Sequence, residues 1–103
     1  MAEKHFFEIL AEETPDVNAA FRGLVGALEK DCGLDPKTFQ LVYLAIRAAG
    51  GIDGAVAAHV PLAKKAGATR EEVRGAVLIS LMVSGVVGIS TCLAKALEAY
   101  DNA

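Results

Sequence analysis

Apolar residues recur along the chain at helical spacing, in blocks separated by proline, glycine and N-cap signals. Glu3 to about Ala11 carries Phe6, Phe7, Ile9 and Leu10, a short amphipathic segment. Thr14-Pro15 reads as an N-cap followed by proline at the first helical position, where the missing N–H does no harm. Val17, Ala20, Phe21, Leu24, Val25 and Leu28 then mark a second helix, with Gly33 as its natural stop. Asp35-Pro36 opens a third. Its apolar residues fall on two sides, Phe39, Val42, Tyr43 and Ile46 on one and Leu41, Leu44, Ala45 and Ala48 on the other. A helix covered on most faces is central. Gly50-Gly51 ends it, and Asp53 is placed to cap a fourth, running to about Ala66 with Gly67 closing it. Pro61 falls inside that helix and predicts a kink or restart. Thr69-Arg70-Glu71-Glu72 forms a capping box for a fifth helix to Ser84, and a sixth runs from about Val87 to Tyr100. No strand alternation or repeat interrupts this pattern. The expected fold is all-α, of about six helices.

Size fits one domain over residues 1–103, with N-terminal helices in 1–33 and the main region in 34–100. With 53% apolar residues the chain has enough side chain to fold, which excludes disorder. A mean hydropathy of +0.39 is high for a small lone domain, so part of the apolar surplus is expected between subunits. The net charge of −3 and the scatter of the basic residues argue against nucleic acid and anionic membrane as partners; the longest basic cluster is Lys64-Lys65.

Between Arg74 and Lys95 no charge appears, a length that could span a bilayer. Gly75, Ser80, Ser84, Gly85, Gly88, Ser90 and Thr91 dilute it, and Gly85 to Gly88 reads as a break between two helices too short to cross. Buried core or subunit interface is the expectation. The segment Met1 to His5 carries acid early and begins a helix, unlike a secretory leader, so a cytoplasmic location is expected.

Three sets of residues could carry chemistry. His59 lies among Ile52, Ala55, Leu62, Ala63 and Ala66 at helical spacing, on an apolar face where an imidazole can move protons near neutrality. A core or interface histidine with one satisfied hydrogen bond fits the same pattern. Gln40, Tyr43 and Arg47 share one stripe of the third helix. Arg47 suits a substrate anion, a rim position snorkelling to water, or an ion pair with a neighbouring subunit. Cys32 sits near a helix carboxyl end beside Asp31 and Asp35, which suppresses its thiolate. Cys92 lies in an apolar run and suits a small core residue. His5 and His59 have no companion ligands at metal spacing, so no metal is expected, and no phosphate loop or nucleophile elbow points to a cofactor.

From about Leu34 to Tyr100 the chain resembles the carboxymuconolactone decarboxylase superfamily, including its alkylhydroperoxidase AhpD-like members. The resemblance is carried by Leu34-Asp35-Pro36-Lys37-Thr38, Gln40-Leu41-Val42, Leu44-Ala45, Ala58-His59-Val60, Lys65 to Val73 and Gly85 to Ala96. It implies a small helical subunit assembled as a homotrimer or homohexamer, acting on a small-molecule ligand. In the redox branch the pattern is a glutamate, a Cys-x-x-Cys pair twelve residues later, and a histidine. Here those positions hold Gln40, Ile52 with Ala55, and His59. Without a resolving pair, peroxiredoxin-like thiol chemistry is not expected. The decarboxylase branch keeps the histidine, often with a glutamate one turn earlier, where this chain has Ala55. The expected site is therefore His59 with Gln40 for catalysis, and Arg47 with Tyr43 for binding a small anion. A non-catalytic oligomeric scaffold or ligand binder is the alternative. Chemistry at Cys32 or Cys92 comes third.

Overall fold

The computed structural model describes residues 4–103 and places all of the regular structure among them in helices. The expected helix start at Glu3 lies outside the described residues. Contacts divide the chain into two compact units, Met1–Gly33 and Leu34–Ala103.

In the first unit, α1 (Phe6–Glu13) is followed by α2 (Pro15–Asp31). His5 caps α1, its Nδ1 accepting the Phe7 N–H at 3.2 Å. Thr14 does not cap α2 with its side chain as its position suggested. Its hydroxyl instead donates back to the Leu10 carbonyl at 3.1 Å, finishing α1. The Phe7 and Phe21 rings meet at 5.8 Å, and the Arg22 guanidinium lies 4.8 Å over Phe7. Neither helix has a buried residue. Gly33, at φ +79°, provides the left-handed turn that ends α2.

The second unit contains α3 (Pro36–Ala49), α4 (Asp53–Lys65), α5 (Arg70–Ser84), a π-helical turn (Ile89–Leu93) and α6 (Ala94–Asp101). Helix α3 packs against α4 and α5, while α4 also packs against α6. Asp35 caps α3 by accepting the Thr38 N–H at 2.8 Å. The core is thin and built from small side chains: Leu44 and Ala48 of α3 meet Val56 and Val60 of α4 and Val73 and Val77 of α5. Leu44 and Ala48 are buried, but Val42 and Ile46 on the opposite face of α3 are exposed. The helix is thus central on one side only.

Pro61 does not restart α4, which runs unbroken from Asp53 to Lys65. Its ring stands on the exposed side, so one hydrogen bond is lost where water can replace it. Asp53 is the first residue of the helix and not its cap; its carboxylate pairs with Lys95 of α6. That ion pair holds the Asp53 carboxyl below its ordinary range.

The sixth helical stretch begins at Val87 and widens into the π turn before α6. The hydroxyls of Thr91 and Ser90 both donate to the Val87 carbonyl, at 2.6 and 3.2 Å. Gly88 is buried where this stretch crosses α3 and α5. A Cβ there would lie 2.4 Å from both the Ala48 carbonyl oxygen and the Ser80 Oγ. Ser80, also buried, satisfies its hydroxyl on the Val77 carbonyl at 2.6 Å. Three contacts tie down α6. Tyr100 donates to the Ala68 carbonyl at 2.8 Å, Arg70 grips Asp101 at 2.8 and 3.2 Å, and Lys64 donates to the Tyr100 carbonyl at 3.0 Å.

The capping box of α5 is present in both directions. Glu72 N–H donates to Thr69 Oγ1 at 3.1 Å, and Thr69 N–H donates to Glu72 Oε1 at 2.9 Å. The Thr69 N–H, followed by Lys37 at 3.0 Å, pulls the Glu72 carboxyl below its ordinary range. A depressed carboxyl stabilises the fold above its unfolded pKa, and this is lost as pH falls through the folded value. Thr69→Ala is therefore expected to cost about 1 kcal/mol at neutral pH in urea denaturation. The same variant should show a shallower loss of stability on acidification.

Candidate functional site

Helix geometry determines what each side of α3 and α4 can present. At about 100° per residue, Gln40, Tyr43 and Arg47 form a strip on the flank of the Leu44–Ala48 core stripe. On α4, Val56, Val60 and Ala63 face the core. His59 falls on the flank of that stripe, with Ile52 and Ala55 below it. The packing of α3 on α4 brings the two flanks together.

Four side chains meet along that seam. Gln40 Oε1 lies 2.9 Å from His59 Nδ1. The Tyr43 ring stacks on the imidazole, centroids 3.7 Å apart and planes inclined by 20°. Arg47 Nε donates to the Tyr43 hydroxyl at 3.0 Å, with the guanidinium carbon 5.2 Å from the ring centre. The line Gln40–His59–Tyr43–Arg47 thus passes from a half-buried amide, through two stacked rings, to an exposed cation.

Each contact has a chemical consequence. The amide and the tyrosine ring hold the imidazole at one edge and one face, so its plane is fixed relative to α3. Tyr43 engages the guanidinium through Nε, which leaves the two Nη groups as the part of the fork suited to an anion. Among the described residues Arg47 forms no ion pair. The carboxylates of this unit are committed elsewhere: Asp53 to Lys95, Glu72 to Lys37 and Asp101 to Arg70.

All four residues expected from the sequence therefore converge. Spacing alone found the strip on α3 and the histidine on α4 but gave no sign of the ring contact between Tyr43 and His59. The cysteines lie outside this cluster of contacts. Cys32 is an exposed free thiol just beyond α2, while Cys92 is a buried free thiol in the π turn, 3.3 Å from Thr91 Oγ1. No group of histidine, cysteine and carboxylate side chains suited to a metal ion occurs among the described residues. An open groove of about 300 Å³ lies between α4 and α6, lined by Ala57, Lys95, Glu98, Ala99 and Asn102, and includes none of the four.

The family model of the carboxymuconolactone decarboxylase family matches residues 15–98. The chain belongs to that family. The match extends the resemblance seen from Leu34 backwards through α2, to Pro15. No curated protein and no solved structure matches the chain. Within this carboxymuconolactone decarboxylase family member, Ile52 and Ala55 occupy the positions that the resemblance gives to a cysteine pair. Ile52 is exposed and Ala55 half-buried, and neither side chain offers a thiolate or a proton. Helical structure, family membership and the polar seam agree on one point: imidazole is the reactive group in this seam, and sulfur is not. No described helix is long and apolar enough to cross a membrane, and the uncharged stretch after Arg74 is divided between α5 and the π turn.

Proposed function

We propose that the seam is an acid–base site acting on a small anionic molecule, in the manner of a decarboxylase-like lyase. His59 exchanges the proton, Gln40 and Tyr43 orient the ring, and Arg47 receives the anion through its Nη groups. The observation that supports this reading is the single chain of contacts from Gln40 Oε1 to Arg47 Nε, joining a titratable ring to a cation without an acidic partner. An isolated core histidine would need only one hydrogen bond. It would not need a stacked tyrosine already carrying an arginine.

The test is His59→Gln, assayed against small carboxylates until a turnover is found. Loss of that turnover with the fold intact is expected, and an unchanged rate would overturn the reading. A second reading, a non-catalytic oligomeric scaffold or ligand binder, draws on Gln40, Ile52 and Ala55, which replace three of the four positions of the redox pattern. It predicts anion binding that depends on Arg47 with no turnover at all.

Self-association is part of the proposal under either reading. In the second unit the core is mostly alanine and valine, while larger apolar side chains stand outside. Ile46 is 67% exposed, Met82 86%, Val83 68% and Val86 70%. A face with the larger apolar residues outside suits contact between copies. Met82→Glu combined with Val83→Glu is expected to shift the protein to monomer in light scattering, with helicity retained. A wild-type chain that is already monomeric would remove this part of the proposal.

A further inference from the structure

We infer that Gln40 is a positioning residue that fixes the proton of neutral His59 on Nδ1, so that the resting site carries its basic lone pair on Nε2 and begins its cycle as a proton acceptor. This rests on the acid–base reading and deepens it by giving the direction of the first proton transfer. An amide oxygen can only accept a hydrogen bond. With Oε1 at 2.9 Å from Nδ1, the ring nitrogen is the donor and the neutral ring is the Nδ1–H tautomer. The stacked Tyr43 restricts rotation of the imidazole and preserves that alignment.

A glutamate at position 40 would also accept from Nδ1, but its negative charge would favour the imidazolium. The neutral amide holds the same tautomer without that bias. Other charges near α4 act elsewhere. Asp53 and Lys64 project about 120–140° around the helix from His59, towards α6, where Lys95 and the Tyr100 and Ala103 carbonyls hold them. Arg47 reaches the ring only through Tyr43. Glu72 of α5 is held by Lys37.

A site that rests as a base suits anions whose reacting proton sits on a carbon next to a carbonyl. The Nε2 lone pair takes that proton, and the C–H electron pair moves onto the carbonyl oxygen, giving an enolate and an imidazolium. The imidazolium then returns the proton to carbon, restoring the neutral ring with nothing else consumed. A decarboxylation that begins by losing carbon dioxide would instead need the imidazolium at the outset, to protonate the carbanion left behind.

The experiment is nitrogen-15 NMR of the full chain labelled at histidine, in a His5→Gln background so that His59 gives the only imidazole signals. Above its titration midpoint, His59 is expected to show a protonated Nδ1 and a bare Nε2. Gln40→Leu should shift it towards the Nε2–H form. Gln40→Glu should keep Nδ1–H and raise the midpoint by about 1–3 pH units. An Nε2–H tautomer in the parent protein, or a midpoint unmoved by Gln40→Glu, overturns the inference. Should Gln40→Leu fail to fold, the parent spectrum and the near-isosteric glutamate variant still decide it. No substrate is involved, so failure to find any turnover would count against the acid–base reading without touching the tautomer result.

Discussion

Gly88→Ala is expected to destabilise the second unit by about 2–3 kcal/mol, and to lower its Tm by roughly 10–20 °C. The added Cβ would fall 2.4 Å from the Ala48 carbonyl oxygen and 2.4 Å from Ser80 Oγ. Serine could turn away only by giving up its bond to the Val77 carbonyl, leaving a buried hydroxyl unsatisfied. The Ala48 oxygen belongs to the backbone of α3 and cannot move alone. Relief therefore requires separating α3, α5 and the π-helical stretch, which opens voids beside Leu44 and Val77. Gly75→Ala is the control, because nothing lies within 4 Å of its Cβ and it sits mid-helix in α5. It should be neutral or stabilising by about 0.5–1 kcal/mol. Urea denaturation of the pair separates the steric effect from helix propensity. Equal stability of the two variants would mean that the helices cross less tightly than the structure shows.

His59→Gln is expected to lower turnover of an acid–base substrate by about 10²–10⁴-fold, the usual contribution of a positioned proton-transfer group. Glutamine retains hydrogen-bonding capacity and similar reach but cannot exchange a proton near neutrality. The loss should therefore appear in kcat, with thermal stability little changed. Arg47→Met should behave differently. It removes the guanidinium but not the imidazole, so the principal change is a higher KM, measured in the same assay. Tyr43 connects the two, and Tyr43→Phe keeps the stacked ring while releasing Arg47 Nε. An effect close to that of Arg47→Met would show that the hydroxyl matters mainly by anchoring the guanidinium.

The helices were largely legible because this chain punctuates itself with strong local signals. Asp35-Pro36, the Thr69–Glu72 box and the glycines at 33, 67 and 85 act within a few residues, so their outcomes barely depend on tertiary structure. The readings that changed were those in which a neighbouring element competed for the same group. Thr14 turned back to Leu10, Asp53 was taken by Lys95 from α6, and Pro61 was tolerated because its side of α4 faces water. The π turn was unreadable, since nothing in Ile89–Leu93 distinguishes it locally from an ordinary helix.

For the site, periodicity found the Gln40–Tyr43–Arg47 strip, and the family resemblance drew attention to His59. Neither could show that the two flanks meet, because that depends on how α3 and α4 rotate about their axes when the small core residues pack. The stacking of Tyr43 on His59 is a product of that rotation. It explains why four residues spread over two helices act as one group.

The widened turn before α6 also sets the phase of everything that follows it. Dropping one residue from Ile89–Leu93 would let an ordinary helix form, but would rotate the remaining stretch by about 100° and draw it back by about 1.5 Å. Lys95 would then swing off Asp53, Tyr100 off the Ala68 carbonyl, and Asp101 off Arg70. The surplus residue works as a vernier: length in this segment is constrained more tightly than composition, and swaps of side chain should be borne where insertions and deletions are not.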